Sequence, residues 1–235
     1  MTEHMDRTGL AFFGTVTASI SHEIKNRIAI INEQAGLLED FVLMAERGTP
    51  IDMDRLKRLS RSVRDQVRRA DEIIRNMNRF AHSVDTPRVT VGVKGLLDLT
   101  VRLAARAASL KGVRLEVDAA CPEMEITTDP FSLVHLVWIG IESVLGVSTQ
   151  GDVLSLACER EPHSVIIQIG RGPSQKVDKA ETVLSGGGRV AEALGADIRS
   201  DPETGAWILR LPKDAPASFS EDAVGGDQTN SRKEV

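Results

Sequence analysis

Ser21-His22-Glu23-Ile24-Lys25-Asn26 sets an imidazole, a carboxylate, an ammonium and an amide within two turns of chain. A neutral imidazole standing in water is a competent nucleophile for a phosphoryl group. Glu23 beside it can orient the ring or accept a proton. Asn26, one turn further along the same face, can donate to a phosphoryl oxygen or hold an attacking water. Lys25 and Arg27 supply positive charge for a dianionic group. The spacing alone does not separate this chemistry from a merely solvated histidine. The surrounding elements have to decide it.

Residues 8–47 contain no proline, and Phe13, Val16, Ile20, Ile24, Ile28, Ile31, Ala35, Leu38 and Val42 recur at steps of three and four. That period predicts one long amphipathic helix. Ile20 and Ile24 define its buried side, so His22 falls near the opposite side at ~100° per residue and should face water. Gly48-Thr49-Pro50 breaks the pattern, and Asp52 or Asp54 can cap a second helix. Its stripe is Leu56, Leu59, Val63, Val67, Ala70, Ile74, Met77 and Phe80 or Ala81. Its other face carries Arg58, Arg61, Arg64, Arg68 and Arg69, a solvated face or a dock for an acidic partner. The two helices form an antiparallel hairpin. One hairpin cannot bury both stripes well, so a homodimer closing a four-helix bundle is expected.

Thr86-Pro87 marks a boundary, and the pattern then changes. Residues 93–110 read as a helix, 113–117 as a strand and 125–127 as a short strand. Asp129-Pro130 opens a helix running to about Val147, with Asp as cap and Pro in the first turn. Residues 153–158 and 164–169 read as a hairpin, and 196–200 with 206–211 as another. Between them, residues 177–194 read as a helix in two pieces, broken by Gly186-Gly187-Gly188. Helices and antiparallel strands segregated in this way predict a two-layer α/β sandwich. The expected organisation is a flexible start over 1–7, the hairpin over 8–85, the sandwich over 86–212 and a disordered tail over 213–235. The fold class is therefore α+β.

A net charge of −5 supplies no basic field for nucleic acid, and 3% aromatics with no tyrosine supply no base-stacking surface. Nucleic acid is not an expected partner. The most apolar stretch, residues 133–147, contains His135 and Glu142 and falls short of the ~20 residues that span a bilayer. No signal peptide is visible. The expectation is a cytoplasmic protein without a membrane partner, any sensing being done by another polypeptide. The chain begins almost at the helix of His22, which would leave no room for a sensor domain. Cys121 and Cys158 fit no metal spacing and read as two reduced core thiols. His4, His82, His135 and His163 lack partners at ligand spacing, and His135 reads as a packed residue within a helix.

Ser21 to Asn26 resembles the H-box of sensor histidine kinases, and the hairpin around it resembles their dimerisation and histidine-phosphotransfer domain. The resemblance implies that His22 is the phosphoacceptor and Glu23 the acid/base. Glu-x-x-Asn also resembles the family's phosphatase signature, which gives Asn26 the role of positioning water. The family usually has proline after the asparagine. Arg27 stands here, and a straighter helix is expected.

Residues 87–212 resemble the ATP-binding domain of the same kinases, a Bergerat-type sandwich, in order, length and hydrophobic pattern. The nucleotide-contacting types are replaced. The family's metal- and phosphate-holding asparagines correspond to Ile139 and Ser143, with Glu142 the nearest residue able to touch a metal. The Asp-x-Gly-x-Gly box reads Gln168-Ile169-Gly170-Arg171-Gly172. Gly186, Gly187 and Gly188 stand where a second glycine box would be, either wrapping a phosphate or serving as a permissive turn. A lost adenine-binding carboxylate removes about 1.5–3 kcal/mol of charged hydrogen bonding. Without a metal site as well, ATP chemistry is not expected.

The resemblance thus implies a histidine phosphotransferase of a two-component phosphorelay. His22 would accept phosphoryl from a receiver-domain aspartate and pass it to another, with response-regulator receiver domains as partners. The protein itself would need no cofactor or metal, and Mg²⁺ would sit only in the receiver. The alternatives are a divergent active sensor kinase, a receiver-directed phosphatase using Asn26, and a scaffold that binds a receiver without transfer.

Overall fold

The computed structural model describes residues 7–171, 187–201 and 204–214. Two long helices come first, α1 (Arg7–Glu46) and α2 (Met53–His82). α1 runs unbroken through Arg27, as the missing proline leads one to expect. Gly48, at φ 85°, turns the chain back through a left-handed conformation that costs glycine little. Asp52 then caps α2, its Oδ1 accepting from the backbone N–H groups of Asp54 at 2.9 Å and Arg55 at 3.1 Å. α2 ends at His82, where the Ser83 hydroxyl donates to the Phe80 carbonyl at 2.6 Å.

The remainder is built from β1 (Val89–Gly92), α3 (Val93–Leu110), β2 (Arg114–Val117), β3 (Glu125–Thr128), α4 (Pro130–Gly146), β4 (Val153–Arg160), β5 (Ser164–Arg171), α5 (Gly188–Ala193), β6 (Asp197–Ser200) and β7 (Trp207–Pro212). The main sheet has strand order β2-β4-β5-β7-β6. β2 runs parallel to β4, and the other neighbours are antiparallel. β1 and β3 form a separate antiparallel ribbon. Leu156, Ile169 and Trp207 lie in register across three strands, as do Cys158, Ile167 and Leu209, so one face of the sheet is apolar. The helices cover that face. The chain is α+β: a long helical hairpin followed by a two-layer α/β sandwich.

α4 is buried almost all round. A helix apolar on every side needs a neighbour on every side. The sheet and α5 take one side, where Gly140 meets Trp207. The hairpin takes the other, where Phe12 and Phe80 meet Phe131, His135 and Trp138. The foot of the hairpin and the sandwich therefore share one continuous core. His135 is a packed residue of that core, 7% exposed.

Several details depart from the sequence reading. The strand β1 and the parallel pairing of β2 were not foreseen. Cys121 and Cys158 are not reduced thiols: they form a disulfide, with Cα atoms 5.1 Å apart. Thirty-seven residues separate them in sequence, so only the fold brings them together. Of the helix expected in two pieces, α5 is the described part, and residues 177–186 lie outside the described residues. Backbone pairing continues past Pro212. The Lys213 N–H donates to the His163 carbonyl at 3.1 Å, the Lys213 carbonyl accepts from Thr127 at 2.9 Å, and Arg88 pairs with Asp214. The rest of the expected tail, residues 215–235, and the start, residues 1–6, lie outside the described residues.

Candidate functional site

His22 sits midway along α1, just beyond the buried foot formed by Phe12, Val16 and Ile20. Helical spacing puts Ile20 into the core and turns His22 outward, and its side chain is exposed. Lys25 and Asn26 are exposed on the following turn. Glu23 and Arg27 are half-buried and form an i,i+4 ion pair at 3.5 Å. Arg27 Nη1 also donates to Gln66 Oε1 on α2 at 3.2 Å. Arg27 thus bridges the two helices of the hairpin. Its buried Nε has no hydrogen-bond partner among the described residues.

The closest approach to His22 comes from the second half of the chain. Arg106, on α3, places Nη1 2.7 Å from His22 Nδ1. A guanidinium has donors only, so Nδ1 accepts. Sequence reasoning missed this residue because 84 positions separate the partners. The available signal was Arg102 and Arg106 one turn apart on a helix whose other side is apolar, and it does not say what that exposed face meets.

The positions aligned with nucleotide contacts lie elsewhere, around α4, β5 and α5. Ile139 and Ser143 are on α4, and the Ser143 hydroxyl is committed to the Ile139 carbonyl at 2.8 Å. Glu142 is exposed. Gln168 sits in β5 opposite Ile208, and Gly170 in the same strand lies against Ala206, whose Cβ is 3.1 Å from where a glycine side chain would begin. Gly187 has an ordinary right-handed backbone, φ −89° and ψ −11°. Its constraint is space: a Cβ there would sit 3.1 Å from Leu136 and 3.3 Å from Ile198. Gly187 therefore serves close packing of α5, while Gly188 faces open space. Gly172 and Gly186 lie outside the described residues.

Among the described residues no three His, Cys, Asp or Glu side chains converge as metal ligands. Nor is any described helix long and apolar enough to cross a membrane.

No family model and no curated protein matches the sequence. Solved structures similar to it include histidine kinases and parts of them. One is the histidine kinase AdeS of Acinetobacter baumannii, at 13% identity over 82% of this chain and 98% of that one, with a TM-score of 0.45. A histidine kinase from Burkholderia phymatum gives 14% identity over 81% and 99%, with a TM-score of 0.45. The ATP-binding domain of PrrB from Mycobacterium tuberculosis gives 22% identity over 56% and 100%, with a TM-score of 0.42. At these identities and scores the likeness assigns no residue.

Proposed function

We propose that this protein is a histidine phosphotransferase of a two-component phosphorelay, working without ATP. The observation that carries the reading is the exposed His22, flanked by Glu23 and Asn26 on one helix and met by a guanidinium from another. A receiver domain would present its aspartyl phosphate, with its own Mg²⁺, to this open face. A neutral imidazole nitrogen attacks phosphorus and forms the N–P bond. The acyl O–P bond breaks, and its electron pair leaves with the aspartate carboxylate. The reverse step delivers the phosphoryl to a second receiver. The phosphohistidine is a positioned intermediate, and the cations nearby offset its charge.

Independence from ATP is supported by chemistry. Ile139 offers no ligand atom, Ser143 spends its hydroxyl on its own helix, and Gln168 brings no carboxylate. A homodimer is supported by the upper hairpin, where Ile28, Leu38, Val42 and Val67 stand 44–56% exposed. A second hairpin would cover them. The arginines on the outer face of α2 suit an acidic receiver surface.

The test is to incubate the purified protein separately with labelled ATP and with a phosphorylated receiver domain. Label on His22 from the receiver only is the expected result, and His22→Ala should abolish it. Label from ATP would establish a divergent kinase instead. Receiver binding that survives His22→Ala with no transfer in the wild type would establish a scaffold.

A further inference from the structure

We propose that Arg106 is a phosphoryl clamp that guards His22 between transfers, an inference that rests on the relay reading above. The guanidinium donates to Nδ1 at 2.7 Å. Nδ1 must then offer its lone pair, and the proton of the neutral ring must sit on Nε2. On this exposed side chain Nε2 has no partner among the described residues, yet in this tautomer it is a donor and cannot attack phosphorus. The resting site is therefore held in a form that does not react through its accessible nitrogen.

Among the described residues, His22 is the one hydrogen-bond partner of Arg106. No carboxylate among the described residues pairs with the guanidinium, so its charge is available to an incoming anion. Its mounting is rigid. α3 buries Leu99, Leu103, Ala104 and Ala108 against the sandwich. The sandwich in turn shares the Phe12, Phe80 and Phe131 core with the helix that carries His22. Donor and imidazole are thus fixed by one body of packed side chains, with only the flexible arginine stem free to swing.

An arriving acyl phosphate offers the guanidinium a stronger acceptor than a neutral ring nitrogen. Arg106 moves from Nδ1 to the phosphoryl oxygens. Nδ1 takes a proton from solvent and Nε2 releases its own. The Nε2 lone pair then forms the N–P bond as the acyl O–P bond breaks and the carboxylate departs with the electron pair. In the phosphohistidine Arg106 stays on the phosphoryl group. When the phosphoryl leaves, Nε2 regains a proton from solvent, Nδ1 gives its proton up, and the guanidinium returns to Nδ1.

The test uses the full chain and two readouts. Nitrogen-15 NMR of the His22 ring in the unphosphorylated protein should show the Nε2–H tautomer almost exclusively, beyond the majority it already holds in free histidine. Arg106→Ala should shift it to the mixture of a free histidine. The second readout is His22 phosphorylation by phosphoramidate, a small donor that needs no receiver and releases ammonia. Arg106→Ala should slow it on the order of 10- to 100-fold, as loss of a positioned charge-stabilising donor does. Arg106→Lys should recover part of the rate, as should free guanidinium added to Arg106→Ala, and phosphorus-31 NMR should place the group on Nε2. Unchanged tautomers, an unchanged rate or a phosphoryl group on Nδ1 would overturn the proposal. A wild-type protein that takes phosphoryl from phosphoramidate but never from a receiver would instead sink the relay reading, with the Arg106 comparison still decisive for the clamp.

Discussion

The imidazole of His135 on α4 lies face to face with the phenyl ring of Phe12 on α1, with centroids 4.4 Å apart and planes within 7°. Phe80 from α2 meets the same Phe12 edge-on at 5.5 Å, and Trp138 meets it at 5.6 Å. Three helices therefore converge on one ring at the foot of the hairpin. This contact sets where the sandwich stands relative to α1, and so sets the reach of Arg106 to His22.

Removing that ring should be felt throughout the molecule. Phe12→Ala is expected to cost about 3–5 kcal/mol in urea unfolding, the range for a buried phenylalanine truncated in a core. Phe12→Leu, which keeps most of the volume, should cost well under that. Because hairpin and sandwich share the core, the parent should unfold in one transition and the variant in two, read by fluorescence of Trp138 and Trp207 against helix circular dichroism. A Phe12→Ala protein as stable as the parent would mean that the shared core does not hold the two parts together.

Gly140 answers to a different constraint. A Cβ at this position would lie 2.6–2.8 Å from the ring of Trp207, which is fully buried beneath α4. Alanine favours helices intrinsically by ~1 kcal/mol over glycine, so an unobstructed Gly140→Ala would stabilise. The clash should reverse the sign, with a net loss of about 1–3 kcal/mol from overpacking. Adding Trp207→Leu should relieve part of the effect of the alanine, and thermal melts of the two single variants and the double would measure the coupling.

The disulfide ties the segment before β3 to β4 across a 37-residue separation. Closing a loop of that size restrains the unfolded chain, and bonds of this kind contribute about 2–4 kcal/mol. Reductant, or the double variant Cys121→Ser with Cys158→Ser, should lower the urea midpoint accordingly. A melt indifferent to reductant would show the two thiols unbonded in solution.

What the sequence disclosed followed from local rules. Asp129 with Pro130 announced α4 because an N-cap carboxylate and a fixed φ act within one turn, and Oδ1 of Asp129 does accept from Phe131 at 3.0 Å. The orientation of His22 followed from the period that buries Ile20. Nothing local could reveal Arg106, Gln66 or the pairing of Cys121 with Cys158, since each depends on how distant elements pack. β1 was missed because four residues beside a helix start carry too few alternations to register a period. Gly187 looked like a turn or a phosphate loop in a run of glycines. In the fold, Leu136 and Ile198 leave little room for a side chain there.

The cap of α2 gives a pH dependence. Hydrogen bonds from the backbone N–H groups of Arg55 and then Asp54 hold the Asp52 carboxyl below its usual range. A lowered folded-state pKa contributes stability above the unfolded value and loses it as pH falls through the folded one. The contribution is thus complete at neutral pH and fades in the acid range below the normal aspartate titration. Asp52→Ala should lower the melting temperature at pH 7, and the deficit against the parent should shrink toward the acid end. Asp52→Asn, which still accepts from the backbone, should recover most of the loss without the pH dependence.

The upper hairpin offers the last test. Ile31, Ala35 and Leu38 on α1 and Leu56, Leu59 and Val63 on α2 line an apolar groove open to solvent. Leu38 and Val42 stand 44% and 49% exposed, and Val67 51%. A pair of such hairpins crossing as a four-helix bundle would remove this surface from water, at roughly 25 cal/mol per Å² of apolar area. Sedimentation should therefore give twice the chain mass. Leu38→Glu places a charge where the partner helix would pack, and an unpaired buried charge costs about 3–5 kcal/mol. It should yield a monomer whose foot, around Phe12 and His135, stays folded, because Leu38 lies about five turns along α1 from Ile20, the last buried residue of that foot. A parent that sediments as a monomer at every concentration would leave the groove exposed and the paired bundle disproved.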